Sequence, residues 1–105
     1  ANKFFGVEIE GELLGIGALM EFDGYGEVKR IFVHPKARGN GIATAILNRL
    51  EREARSLGLV AMKLETGTKQ PDAIALFERE GFVICDAFGD YPVGDPYSVF
   101  MQKKL

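Results

Sequence analysis

Residues 27–57 read EVKRIFVHPKARGNGIATAILNRLEREARSL, and the change of rhythm inside that stretch decides the fold. Its opening, 27–34, holds Ile31, Phe32 and Val33 in succession, the pattern of a strand covered on both faces. Pro35 ends it, because proline offers no N–H to a ladder. Arg38-Gly39-Asn40-Gly41 follows, and from Ile42 the apolar period changes from two to 3.6. Ile42, Ile46, Leu47, Leu50, Ala54 and Leu57 fall on one stripe of a helix. Asn48, Arg49, Glu51, Arg52 and Arg55 supply much of its polar face. Gly58 sits where a helix commonly stops. This is a strand, a glycine turn and a helix.

Upstream, 4–9 is rich in β-formers and 13–22 is a second apolar run, so the two predict a hairpin around Glu10-Gly11-Glu12. Asp23-Gly24-Tyr25-Gly26 predicts the next turn. Downstream, 60–66 alternates Val60, Met62 and Leu64 against Ala61, Lys63 and Glu65, which predicts a half-buried strand. Pro71 and Asp72 open a second helix running to Glu80, and Gly81 stops it. Residues 82–88 and 97–102 predict the last two strands, joined by the Gly/Asp/Pro-rich loop 89–96. No repeat, linker or low-complexity tract interrupts the chain. The predicted order is β-β-β-α-β-α-β-β, an α/β fold with a mixed sheet whose parallel part lies near the first helix.

The 105 residues suit one domain. With 47% hydrophobic and 27% charged residues, the composition is that of a globular protein. Thirteen basic against fifteen acidic residues leave a net charge of −2, which argues against nucleic acid or an anionic membrane as the main partner. No apolar run is long enough to span a bilayer and no signal-peptide pattern opens the chain. The single cysteine, Cys85, reads as inert core and fits a reducing compartment, so a cytoplasmic location is expected. His34 has no partner at ligand spacing and reads as a strand-end cap; no metal site is expected.

Two glycines at the mouth of a helix leave main-chain N–H groups uncovered at the positive end of the helix dipole. Residues 39–44 therefore suit a pyrophosphate, although a lone G-x-G is more often a plain turn. A P-loop is absent. The dinucleotide fingerprint fits poorly, since Thr44 stands where its third glycine would be and Pro35-Lys36-Ala37-Arg38 lengthens the turn.

The third comparison succeeds. Val33-His34-Pro35, then Arg38-Gly39-Asn40-Gly41-Ile42-Ala43, resembles motif A of the GNAT acetyltransferase superfamily, Q/R-x-x-G-x-G/A after an apolar strand ending V-x-P. The run from Gln70 through Ala73 and Phe77 to Gly81-Phe82 is similar to the family's second helix, N-x-x-A-x-x-x-Y-x-x-x-G-F. Here glutamine replaces its asparagine and phenylalanine its tyrosine.

The resemblance implies a GNAT-like acyl-CoA N-acyltransferase fold and transfer of acetyl from acetyl-CoA to a primary amine of a small molecule or peptide. It assigns Ile31, Phe32 and Val33 to the pantetheine arm through their main chain. It assigns Arg38, Gly39, Asn40, Gly41, Ile42, Ala43 and Thr44 to the pyrophosphate, and Gln70, Ala73 and Phe77 to the flank of the arm and the thioester sulfur. Glu27 is the candidate base, as far from Arg38 as the catalytic glutamate of histone-acetylating members lies from their motif. A water chain, or a merely solvated Glu27, is the alternative.

Phe77 lacks the hydroxyl that the family's tyrosine offers the leaving thiolate. Three readings stay open: an unaided thiolate, another tyrosine (Tyr91 and Tyr97 are nearest), or a non-catalytic CoA-binding module. The family domain normally begins with a strand and one or two helices ahead of the hairpin, whereas this chain starts Ala1-Asn2-Lys3 at the hairpin itself. The cofactor half is thus expected without those acceptor-side elements. Apolar faces left bare would favour association, a homodimer included.

Overall fold

The computed structural model describes residues 2–9 and 11–105; Glu10, in the first predicted turn, lies outside the described residues. Six strands and two helices follow the predicted order: β1 (Asn2–Ile9), β2 (Glu12–Glu21), β3 (Tyr25–Val33), α1 (Ile42–Ser56), β4 (Ala61–Gly67), α2 (Pro71–Arg79), β5 (Val83–Cys85) and β6 (Ser98–Lys104). The strands form one mixed sheet in the order β1-β2-β3-β4-β6-β5. Every neighbouring pair is antiparallel except β3 and β4, which run parallel.

The amphipathic stripe of α1 makes the core. Ile42, Ile46, Leu47, Leu50 and Ala54 are buried, while Leu57, the last member of the stripe, stays partly open at 36%. They meet Leu19, Val28, Met62, Leu64 and Met101 from the sheet and Phe77 and Phe82 from α2 and its exit. Gly15 and Gly17 of β2 let α1 approach. A Cβ on Gly15 would stand 2.7 Å from Ile42, and one on Gly17 would run into Ile46. Gly58 ends the helix at φ +75°, in the left-handed region a glycine reaches without strain.

The structure corrects four local expectations. Tyr25 and Gly26 belong to β3, so the turn before it contracts to Asp23-Gly24. Tyr25 is drawn into the strand because β4 begins pairing there, Tyr25 against Ala61. Val60 lies outside β4 and is 66% exposed, because burial runs through Ala61, Met62 and Leu64. The strand expected over 82–88 shrinks to Val83–Cys85 at the sheet edge, with Val83 and Ile84 exposed, so the region around Cys85 is an edge and not core. Finally, Ile31, Phe32 and Val33 are not covered on both faces: Phe32 is 50% exposed and its neighbours are half-buried. The next section gives the reason.

Candidate active site

Strand β3 pairs with β4 at only three positions, Tyr25–Ala61, Gly26–Met62 and Glu27–Lys63. Beyond them β4 continues along β6 as far as Gly67–Ser98, while β3 continues along β2 as far as Val33–Gly15. The parallel pair therefore opens into a V, and the edge of β3 over 28–33 loses its partner on that side. The opening has a local cause. Ile16 pairs with Phe32 but Ala18 with Lys29, so Arg30 and Ile31 both stand across from Gly17. That extra residue is a β-bulge, which bends a strand and increases its twist. Arg30 takes φ +58°, the one non-glycine residue with positive φ among the described residues. Such a conformation costs a side-chain-bearing residue roughly 1–2 kcal/mol and points to a constraint imposed by the surrounding sheet.

Past β3 the chain makes a single 3-10 turn, Pro35–Ala37, capped by His34, whose Nδ1 accepts the Lys36 N–H at 3.2 Å. The strand-end role expected of His34 is thereby seen. Asn40 closes the loop by donating from Nδ2 to the Ala37 carbonyl at 3.2 Å, and Arg38 donates from Nε to the Val33 carbonyl at 3.3 Å. Gly39 and Gly41 sit at φ +82° and +74° with open space where a side chain would be. Gly41 is the N-cap of α1 and makes no side-chain capping bond. The first N–H groups of α1 thus point out of a bare glycine rim at the positive end of its dipole.

Two adjoining cavities occupy the V. One, of about 700 Å³, is lined by Val33, Arg38, Gly39, Gly41, Ile42, Ala43 and Thr44 facing Lys69, Gln70 and Arg79. The other, of about 660 Å³, is lined by Glu27, Lys29, Arg30, Glu65, Thr66, Phe77 and Tyr91. Ile31, Gln70, Ala73 and Leu76 line both, so the cavities share a wall formed by β3 and α2. Of the residues that the resemblance assigned to acetyl-CoA or to catalysis, all but Phe32 and Asn40 line one or both. Thr44 also donates from Oγ1 to Glu80 Oε2 at 3.0 Å, tying α1 to the end of α2.

At the inner end of the V, Glu27 is 4% exposed, the one buried charged side chain among the described residues. Tyr91 donates its phenol to Glu27 Oε2 at 2.5 Å, and Lys29 Nζ lies 3.8 Å from the same oxygen. Tyr91 is wedged edge-on against Phe88 and Phe100, at centroid distances of 5.5 Å and 5.4 Å. Burial pushes its phenol far above the usual tyrosine range, and the hydrogen bond to Glu27 adds to the shift. Burial also raises Tyr25 beside it. Tyr97 is 67% exposed and does not line the V.

Lys29 could have been found in the sequence, two residues from Glu27 and so on the same side of the strand. The sequence offers Tyr91 as a substitute for the missing hydroxyl, but its pairing with Glu27 could not be read, since it reaches that residue from 64 positions away through a loop. Asp95, in the loop 89–96, accepts the Tyr97 N–H at 2.9 Å and serves the turn. Burial raises the thiol of Cys85 above its ordinary value, which keeps it protonated.

A bulged, splayed strand followed by a glycine-rimmed helix defines an acyl-CoA N-acyltransferase fold, and the comparisons agree. Residues 1–82 match the family model described as acetyltransferase (GNAT) family. The IAA acetyltransferase of Azospirillum brasilense is 46% identical over 105 residues, covering 98% of this chain and 68% of that protein. A crystal structure from Klebsiella pneumoniae, described as an acyl-CoA N-acyltransferase, superposes with a TM-score of 0.94 at 38% identity, over 99% of this chain and 72% of its own. The PaiA N-acetyltransferase of Thermoplasma acidophilum, solved with coenzyme A, shares the fold at a TM-score of 0.88 and 19% identity, over 99% of this chain and 61% of its own. This chain belongs to the GNAT acetyltransferase family, whose members are acyl-CoA-dependent transferases. It spans about two thirds of the length of the curated relative above. No helix among the described residues is long and apolar enough to cross a membrane.

Proposed function

We propose that residues 1–105 act as one acetyltransferase unit that moves the acetyl group of acetyl-CoA to a primary amine of a small molecule or peptide. The observation that carries this reading is the V between β3 and β4. It combines an unpaired strand edge, a glycine-rimmed helix start and a buried carboxylate in one continuous cleft. The residues present fit acetyl-CoA. The main chain of Ile31, Phe32 and Val33 offers the pantetheine amides an edge to bond, as an added strand would. Phe32 needs no side chain in the cleft for that role. Main-chain N–H groups over 39–44 suit the pyrophosphate, with Arg38 beside them, and the space left at Gly39 and Gly41 allows phosphate oxygens close to the backbone. Asn40 contributes by holding the turn. Gln70, Ala73 and Phe77 of α2 form the opposite wall.

Acetyl-CoA supplies an activated thioester; this chain supplies alignment, a hydrogen bond to the carbonyl oxygen from the freed β3 edge, and a proton acceptor. Glu27 is that acceptor: buried, at the closed end of the cleft, with its orientation fixed by Tyr91.

A second reading, a CoA-binding module without turnover, is favoured by Phe77, which is 6% exposed, packs against Phe82 and carries no hydroxyl. Titration calorimetry with acetyl-CoA, coenzyme A and NAD tests the cleft. Saturable binding of the first two and none of NAD is expected; NAD binding, or none of the three to a folded sample, overturns the assignment. Thiol release from acetyl-CoA in the presence of amino acids, polyamines and short peptides then separates enzyme from module.

A further inference from the structure

The cleft contains a hydroxyl that the family-like motifs did not assign. Around the expected sulfur end, α2 presents only apolar Ala73, Leu76 and Phe77, and among the residues lining that inner cavity the hydroxyls are those of Thr66 and Tyr91. Tyr91 already bonds the buried carboxylate. The charged and titratable groups around that phenol are Glu27, Lys29 and Tyr25 from β3 and Glu65 from β4, with Lys29 Nζ 5.8 Å from the Tyr91 ring centroid. The Phe88 and Phe100 rings pack edge-on against the Tyr91 ring, so its rotation is restricted.

We propose that Glu27 and Tyr91 form a single proton relay, the phenol standing in for the hydroxyl that Phe77 lacks. This rests on the acetyl-transfer reading above. As the amine nitrogen bonds the acetyl carbon, its proton passes to Glu27. The carbon–sulfur bond breaks with its electron pair on sulfur, and the Tyr91 O–H gives its proton to that sulfur. Glu27 then returns the captured proton to the Tyr91 oxygen across their hydrogen bond. The products are an amide and a free thiol, and both side chains end the cycle as they began. The environment of Tyr91 disfavours a free phenolate, so the phenol is neutral and able to donate throughout the ordinary pH range. The same property requires the resupply from Glu27 to accompany the donation.

Two measurements test the relay on the intact chain. The first uses the protein labelled with carbon-13 at the tyrosine ring carbon bearing oxygen. The Tyr91 resonance, identified by its loss in Tyr91→Phe, is expected to move with the ionisation of a carboxylate, to keep that step with acetyl-CoA bound, and to lose it in Glu27→Gln. This arm needs no acceptor. The second compares acetyl transfer in variants. Tyr91→Phe is expected to lower kcat on the order of 10²-fold with little change in KM for acetyl-CoA, and to alter the pH profile. Glu27→Gln gives a similar loss, and the double variant is no slower than the worse single one. Tyr97→Phe stays at the wild-type rate.

A Tyr91→Phe protein at full kcat, additive losses in the double variant, or a loss carried by Lys29→Met in place of Tyr91→Phe would overturn the relay. So would a Tyr91 resonance blind to Glu27. Failure of the parent to bind acetyl-CoA would instead overturn the function proposed above.

Discussion

At Gly26 and Glu27, β3 is paired with β2 on one side and β4 on the other; from Val28 to Val33 it keeps β2 alone. The two ends belong to one strand and differ through one inserted residue. At the closed end, Gly26 lies against Leu19 and Leu59, and its partner Met62 is 1% exposed. At the open end, Phe32 is half exposed and main-chain groups face a cavity. The closed end is built by side-chain packing and the open end by the removal of a partner. Stability and binding should therefore respond to substitutions at different ends.

The largest separation is expected at the open end. Gly41→Glu sets a carboxylate at the helix start that the proposed pyrophosphate would approach. Like charges in such contact cost several kcal/mol, so calorimetry should show at least about a hundredfold loss of acetyl-CoA affinity. Gly41→Ala imposes the same left-handed strain without the charge and should lose much less; an equal loss would make strain, and not charge, the cause. Met62→Ala should do the converse at the closed end. It should cost about 2–5 kcal/mol in denaturant unfolding while the affinity of the folded fraction holds. A matching loss of affinity would mean the ends are coupled. The smallest and sharpest effect concerns the residue between them. Arg30→Gly relieves positive φ and is expected to stabilise by up to about 1 kcal/mol, or ~4–8 °C in Tm. A fall in Tm would show that the Arg30 side chain holds the bulge more than the strain loosens it.

The sequence made the helices and the glycine turn readable because their signals are local. The stripe from Ile42 to Ala54 and the pair Gly39 and Gly41 each lie within a few residues. The V was not readable from Ile31-Phe32-Val33. An apolar run looks the same whether a neighbouring strand covers it or a ligand is to do so, and pairing with β4 depends on residues some thirty positions away. The bulge left no local mark either, since Arg30 is an ordinary residue in an unusual conformation. Within the site, Glu27 and nearly half of the cleft lining came from motif resemblance, but the carboxylate's partner did not. A tyrosine in a loop of Gly, Asp and Pro is compatible with many positions, and only the packing of Phe88 and Phe100 selects one.

Three residue pairs join the half-sheet β1-β2-β3 to the half-sheet β4-β6-β5. A seam so short makes the native state responsive to whatever bridges the two halves. A molecule that bonds the free edge of β3 and rests on α2 acts as a splice, and mass action makes its effect grow with concentration. At a hundred times its Kd it adds about 2.7 kcal/mol to the folded state. The persistence of such a protein would then follow the supply of its own acyl donor, rising when the donor is abundant and falling when it is scarce.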